Sequence, residues 1–252
     1  MARDPRRAPR PGPDRSGVNL KMIGAPLDDD RLTLYGSFTS SSSYKPMLYL
    51  ALAGLPFSFR TVNLKTGVQN TPEYLAINRW GVVPSLRHRG LTILQSNVIL
   101  DYLARTTGHF EGRTEQQRWQ AREWLSWEAD HVTAVARVRH SARFRRMHDE
   151  VIAEFLPRAE AALSVVDTVV KDRPFLVGDA CTIADIGCWG RMVFMAEGGF
   201  EIGNWPYLEA WAGHRFEAPG PDARVSPSRR EPAAAPGRRH CTSWACKACR
   251  SC

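Results

Sequence analysis

The 252-residue sequence predicts two parts: an α/β N-terminal domain, then an all-α C-terminal helical domain, with the boundary near residue 110. Three observations carry this. Short β-prone runs bounded by turn residues crowd residues 32–94. Apolar residues at helical spacing dominate residues 114–216. Pro-, Arg- and Ser-rich stretches without periodicity flank both.

Residues 1–30 are expected to be a disordered extension, with Met22 as an alternative start. Structure begins with LTLYG, a strand ending at Gly36, followed by the hydroxyl-rich turn SFTSSSSYKP and a helix, MLYLALAGL, closed by Gly54. FSFRTVNL alternates as a second strand. Residues 70–78 read as a short helix capped by Thr71, with Pro72 in its first turn and Tyr74 and Leu75 inward. VVPSLRHRGLTIL is a hairpin turning at Arg89-Gly90, and SNVILDYLART a helix with Ser96 as cap and Ile99 and Leu103 on one face. A βαβ unit followed by ββα is the thioredoxin-like arrangement, here assigned to residues 31–107.

Residues 114–220 carry the helical signal. One long helix is expected over 114–147, with Ala121, Leu125, Val132 and Val135 in phase. A second carries Ile152, Phe155, Ala159, Leu163, Val166 and Val170, with a kink or break at Pro157. Thr182 and Asp185 form a capping box opening a third, and residues 205–216 a last short one. Trp119, Trp124 and Trp127 read as core or interdomain packing, and the basic run Arg139, His140, Arg143, Arg145 and Arg146 as a solvated face.

Net charge is +8, but residues 1–21 carry +4 and residues 221–252 carry +5, leaving 22–220 at −1. No basic patch is therefore expected on the fold, which argues against nucleic acid as a partner. No apolar run is long enough for a membrane span, and the Arg-containing N-terminus lacks the apolar region of a secretory signal. The first 180 residues contain no cysteine, so no disulfide framework is expected there and a reducing, cytoplasmic location is. Cys241, Cys246, Cys249 and Cys252 have metal-like spacing in a disordered basic tail, 221–252, but no element organises them, and no metal is expected.

Three sites carry chemistry. Ser40–Ser43 lie between a strand end and a helix start, where hydroxyls cap the helix, a role given to Ser42 or Ser43, or help hold an anion such as a thiolate. Val83-Pro84 marks an edge, a turn or a cis bond, and an edge there can pair with a peptide-like ligand. Gln95-Ser96 opens a helix, as caps or as a carboxylate site.

The order of LYGSFTSSSSYKPMLYLALAGL, NRWGVVPSL, LTILQSNVILDYL and FLVGDACTIADI resembles the cytosolic glutathione transferase family from about residue 32 to residue 220. The resemblance implies glutathione as co-substrate, an electrophilic small molecule as second substrate, a detoxification role and a homodimer. It makes Ser40 the catalytic serine that stabilises the thiolate, gives Val83, with a cis Pro84, the cysteinyl backbone, and gives Gln95 and Ser96 the γ-glutamyl group. Lys65 or Gln69 would reach the glycine carboxylate. In tyrosine-type members the tyrosine falls where Gly36 stands, so Tyr35 is read as strand packing. A cysteine-type reaction is disfavoured by the lack of cysteine before Cys181. SSSSYK is most similar to the zeta-class turn, with Ser42 replacing the cysteine used for isomerisation. Alternatives are a glutathione-dependent disulfide reductase or isomerase on the same fold, and a non-catalytic binding protein.

Overall fold

In the computed structural model, residues 30–144 and 149–216 are described. The N-terminal extension, Arg145, Arg146 and the cysteine-bearing tail lie outside the described residues. Four short strands, β1 (Thr33–Gly36), β2 (Ser58–Thr61), β3 (Ser85–His88) and β4 (Leu91–Leu94), form one mixed sheet in the order β2-β1-β3-β4. β1 runs parallel to β2 and antiparallel to β3, which is antiparallel to β4. The register pairs Gly36 with Thr61, Tyr35 with Ser85, and Ser85 with Leu94. The ends of β1, β2 and β4 and the start of β3 therefore share one end of the sheet. Arg89 and Gly90, both at positive φ (50° and 72°), make the tight turn that joins β3 to β4.

Among the described residues, eight α-helices accompany the sheet: α1 (Ser41–Leu52), α2 (Pro72–Leu75), α3 (Ser96–Thr107), α4 (Glu115–Trp127), α5 (Thr133–Phe144), α6 (Asp149–Val170), α7 (Ile183–Met192) and α8 (Pro206–Arg215). α1 packs on α3 and α7, α4 on α7, α5 on α6, and α6 on α8. One core joins both halves, combining Leu34, Leu48, Leu50 and Leu100 with Leu125, Leu163, Ile186 and Met192. Burying each such side chain contributes ~1.5–3 kcal/mol, so the contact between the halves belongs to the folding core. On the opposite face of the sheet, Tyr35, Val62, Val68 and Tyr74 form a smaller cluster.

Several expectations are corrected. α1 begins at Ser41 and runs through Pro46, because Ser40 supplies a cap upstream of the proline. Leu75 points outward; only Tyr74 of that turn is buried. Gln95 takes the cap position of α3 and Ser96 is its first helical residue. The long helix is divided by a π-helical turn at Glu128–Val132 between α4 and α5. α6 continues through Pro157 without a break. Trp119 is 64% exposed, while Trp124 and Trp127 pack against the core. Arg139, expected on a solvated face, is 1% exposed.

The Thr182–Asp185 capping box is present as expected. Asp185 accepts from the Thr182 and Leu176 N–H groups, each at 2.8 Å. Burial pushes its carboxyl up to about 6, against the pull of those hydrogen bonds.

Candidate active site

The turn between β1 and α1 is built for close approach. A Cβ on Gly36 would lie 3.1 Å from both the Phe59 ring and the Ser43 side chain, so β1 and α1 meet closely here and a larger residue would require them to give. Ser43, fully buried, accepts the Ser37 N–H at 3.2 Å. Ser40, half-buried with extended backbone (φ −98°, ψ 118°), is the cap: its Oγ accepts the Ser43 N–H at 3.2 Å. The capping role expected of Ser42 or Ser43 thus falls to Ser40. The two roles are compatible, because a hydroxyl that accepts from the helix still has its own proton to donate. Neighbouring N–H groups at the start of a 12-residue helix favour negative charge in front of it.

The other sequence-predicted residues converge on the same end of the sheet. Val83-Pro84 is a cis peptide immediately before β3. Its loop is held by Tyr74 Oη and Asn78 Nδ2, which donate to the Val82 carbonyl at 2.9 and 2.7 Å. Among the described residues no main-chain hydrogen bond is made to Val83, which is half-buried. Gly81 (φ +61°) brings this loop against Asn70 and Gln69, where a Cβ would meet Asn70 Oδ1 at 3.1 Å. Gln95 follows β4 in the left-handed region (φ 69°), is exposed and makes no side-chain cap bond; Ser96 is buried beside it. A non-glycine residue held there stores strain of ~1–3 kcal/mol, a cost met at ligand sites more often than elsewhere. Lys65 is exposed beyond β2, and Gln69 is half-buried with its amide oxygen lacking a hydrogen-bond partner.

Alternative nucleophile-activators are disfavoured by their surroundings. Tyr35 is fully buried, edge-on to Tyr74. Burial drives Tyr44 up to about 12, and it packs edge-on to Phe194. Burial likewise pushes the Cys188 thiol well above its ordinary value, so it is not a thiolate.

Sequence reasoning missed a second layer of residues behind the turn. Lys45 and Glu128, both fully buried, are paired; Asn97 accepts from Lys45 at 2.8 Å and donates to Glu128 at 2.8 Å. Arg191 of α7 donates to Glu128 at 2.7 Å and to Ser42 Oγ at 2.9 Å. Burial pulls the Lys45 ammonium down to about 8, opposed by Glu128. Burial also pushes the Glu128 carboxyl up, but Lys45 and Arg191 together outweigh it and hold it below its ordinary range. On the other side, Arg139 Nη2 donates to the Thr39 carbonyl at 3.1 Å and to Glu197 at 2.8 Å. Its guanidinium lies 4.3 Å over the Phe194 ring, and Arg143 reaches the same Glu197 at 2.8 Å.

Among the described residues, no helix is long and apolar enough to cross a membrane, and no group of three or more His, Cys, Asp or Glu could hold a metal ion. The four clustered cysteines lie outside the described residues.

Comparison with known proteins agrees with this architecture. Residues 30–105 match the family model "Glutathione S-transferase, N-terminal domain", and residues 129–219 match "Glutathione S-transferase, C-terminal domain". Human glutathione S-transferase theta-2B is 28% identical over 198 residues, spanning 74% of this chain and 81% of that protein. The disulfide-bond oxidoreductase YfcG of Escherichia coli is 24% identical over 181 residues, spanning 68% and 83%. A crystal structure of a glutathione S-transferase from Pseudomonas fluorescens superposes with a TM-score of 0.66 at 30% identity, covering 72% of this chain and 92% of that one. A thioredoxin-like domain carrying the serine turn and cis-proline loop at one sheet end, followed by a helical domain, makes this chain a member of the glutathione S-transferase family.

Proposed function

We propose that this chain is a serine-type glutathione transferase that uses Ser40 to hold the glutathione thiolate for attack on an electrophilic small molecule. The observation carrying this is the placement of Ser40: it caps α1 through its lone pair and keeps its proton free, at the sheet end shared with Val83-Pro84 and Gln95-Ser96. An ordinary thiol, with pKa ~8.5, is only slightly ionised at neutral pH, so a donor and a helix N-terminus aimed at the sulfur increase the reactive fraction. Glutathione lies extended, its cysteinyl backbone on Val83, its γ-glutamyl group at Gln95 and Ser96, and its glycine carboxylate towards Lys65 or Gln69. The thiol proton passes to solvent, the thiolate sulfur forms a bond to the electrophilic carbon, and the leaving group departs with its bonding pair. Ser42, in the place of the zeta-class cysteine, accepts from Arg191 and serves structure, so isomerisation is not the favoured reaction. A cytoplasmic homodimer completes the proposal.

Ser40→Ala tests it. Conjugation of a generic aromatic electrophile is expected to fall at least ~10-fold at neutral pH as the thiol loses its donor, with glutathione affinity within about twofold. Wild-type conjugation rates in the variant would overturn the assignment. Likeness to the E. coli disulfide-bond oxidoreductase favours one second reading, reduction of glutathione-capped disulfides. Turnover of such a disulfide without conjugation of electrophiles would select it. Retention on a glutathione column with neither activity would select a binding protein.

A further inference from the structure

We propose that Arg139 and Arg191, both in the helical domain, are positioning residues that hold the Ser40 turn from its two sides and favour thiolate there. This rests on the role of Ser40 proposed above. The residue before Ser40, Thr39, has its carbonyl bound by Arg139 from 100 positions away in sequence. The residue two after it, Ser42, has its hydroxyl bound by Arg191 from 149 positions away. Ser40 thus sits between two attachments to a different domain, in addition to the turn's own bonds. Those run from Ser40 N–H to the Ser37 carbonyl at 3.1 Å and from Tyr44 N–H to the Ser40 carbonyl at 2.9 Å. Neutral side-chain bonds at 3.2 Å run from Ser43 N–H to Ser40 Oγ, from Ser37 N–H to Ser43 Oγ and between the Ser37 and Thr39 hydroxyls.

Both guanidinium groups are themselves fixed. Arg139 is gripped by Glu197 through Nε at 2.9 Å and Nη2 at 2.8 Å, lies on the Phe194 ring and is 1% exposed. Arg191 is held by Glu128, which is fully buried on the π-helical turn. A planar guanidinium fixed by a carboxylate points its remaining N–H groups in set directions, which is what locating a turn requires. Replacing a buried ion pair as a whole by apolar residues of similar volume is often neutral, so packing alone does not require these pairs.

The charge count points the same way. Glu197 receives Arg139 and Arg143, and Glu128 receives Lys45 and Arg191, so each group holds one more positive charge than its carboxylate neutralises. Arg139 Nη1 is buried and has no hydrogen-bond partner. Cys188, buried beside Lys45 and Glu128, stays a neutral thiol and offsets neither. The excess at Glu128 lies away from water and acts more strongly than the same charges on a surface, while on the other side only Arg139 is buried, Arg143 and Glu197 being 39% and 33% exposed; both favour an anion at the turn.

The experiment uses the full chain with glutathione as probe. It reads the apparent pKa of the bound thiol from thiolate absorbance, the affinity for S-methylglutathione, which cannot ionise, and the melting temperature. Arg139→Met is expected to raise the bound thiol's pKa by about one unit, roughly tenfold less thiolate at neutral pH, with S-methylglutathione affinity within about twofold. Arg139→Lys, keeping the charge, should recover part of that shift. Ser42→Ala, which removes only the hydroxyl that Arg191 reaches, should raise the pKa by less. Arg113→Met, removing an exposed pair with Asp179, should leave it at the wild-type value. A merely structural role would lower melting temperatures and leave the thiol's pKa alone. If Arg139→Met fails to fold, Ser42→Ala decides the matter. Wild-type thiol pKa in Arg139→Met and Ser42→Ala, alongside a raised value in Ser40→Ala, sinks the clamps and leaves Ser40 standing. No change in Ser40→Ala takes down both.

Discussion

Replacing Glu128 with Gln removes the one negative charge that Lys45 and Arg191 share inside the protein. Lys45 and Glu128 are both fully buried, so the variant leaves two cations facing each other across a neutral amide. Breaking a buried pair in this way costs ~3–5 kcal/mol, because the surviving charge is neither solvated nor compensated. At ~2–4 °C per kcal/mol for a chain of this size, the melting temperature should fall by roughly 6–20 °C at pH 7. The pH dependence sharpens the test. Lys45 already holds its proton weakly in the folded state, at about 8 against an ordinary 10.5. A base depressed by folding stabilises above its unfolded pKa and loses that contribution as pH falls through the folded one, so this term rises between pH 8 and 10.5. Without Glu128 the Lys45 value drops further, the ammonium sheds its proton sooner, and the repulsion with Arg191 goes with it. The deficit of Glu128→Gln should therefore be largest below pH 7, shrink as pH rises to about 8, where wild-type Lys45 also sheds its proton, and stay level from there to pH 9.5. Scanning fluorimetry of both proteins across that range measures it. Melting within 2 °C of wild type at pH 7, or a deficit independent of pH, would refute a charged Lys45–Glu128–Arg191 cluster.

Two further outcomes follow from packing and capping. Gly190→Ala places a Cβ 2.6 Å from Lys45 Cγ and 3.1 Å from its Cα, and Lys45 is tied to Glu128, so α7 must move off α1. A loss of ~1–3 kcal/mol in urea unfolding is expected, and an unchanged midpoint would show that the α1–α7 contact is looser than described. Asp185→Asn loses an acceptor of the capping box and should cost ~1–2 kcal/mol. Because burial raises the Asp185 carboxyl to about 6, its contribution is present below its unfolded value of 3.8 and lost as pH rises through 6. The gap between wild type and variant should therefore narrow from pH 4.5 to pH 7, and a gap that widens would contradict a carboxyl raised by burial.

Local features were legible because their signals are local. The turn at Arg89-Gly90, the cap at Thr71 and the box at Thr182 and Asp185 each depend on neighbours within a few positions. The buried charges were harder, since Lys45 and Glu128 lie 83 residues apart and no spacing rule links them. One signal did exist. Leu125, Glu128, Val132, Val135 and Arg139 follow one another at three- and four-residue steps, so both charges sit on the apolar stripe of the expected long helix. A charge on that stripe must be paired or solvated, and the stripe was already assigned inward. Reading Arg139 with the neighbouring basic residues, as a run, hid its phase. The π-helical turn at Glu128 had no legible cue, because an extra residue in the turn leaves the flanking periodicity nearly intact.

Under the proposed function, that stripe also explains why the site would be divided between two domains. The sheet end supplies main chain and a hydroxyl, all neutral groups, which can orient a peptide-like ligand but do little to favour a charged sulfur. Positive charge placed on the exposed turn itself would be screened by water and held by flexible side chains. Arg139 on the buried stripe of α5 and Arg191 on α7 are instead held by carboxylates and reach the start of α1, with Lys45 buried on α1 itself. Carboxylates at Glu128 and Glu197 offset these charges, and two cations on each leave the positive excess that the proposal uses. Under the proposed function, the first domain would bind glutathione by shape, and the second, sharing one core with it, would favour thiolate over thiol at Ser40.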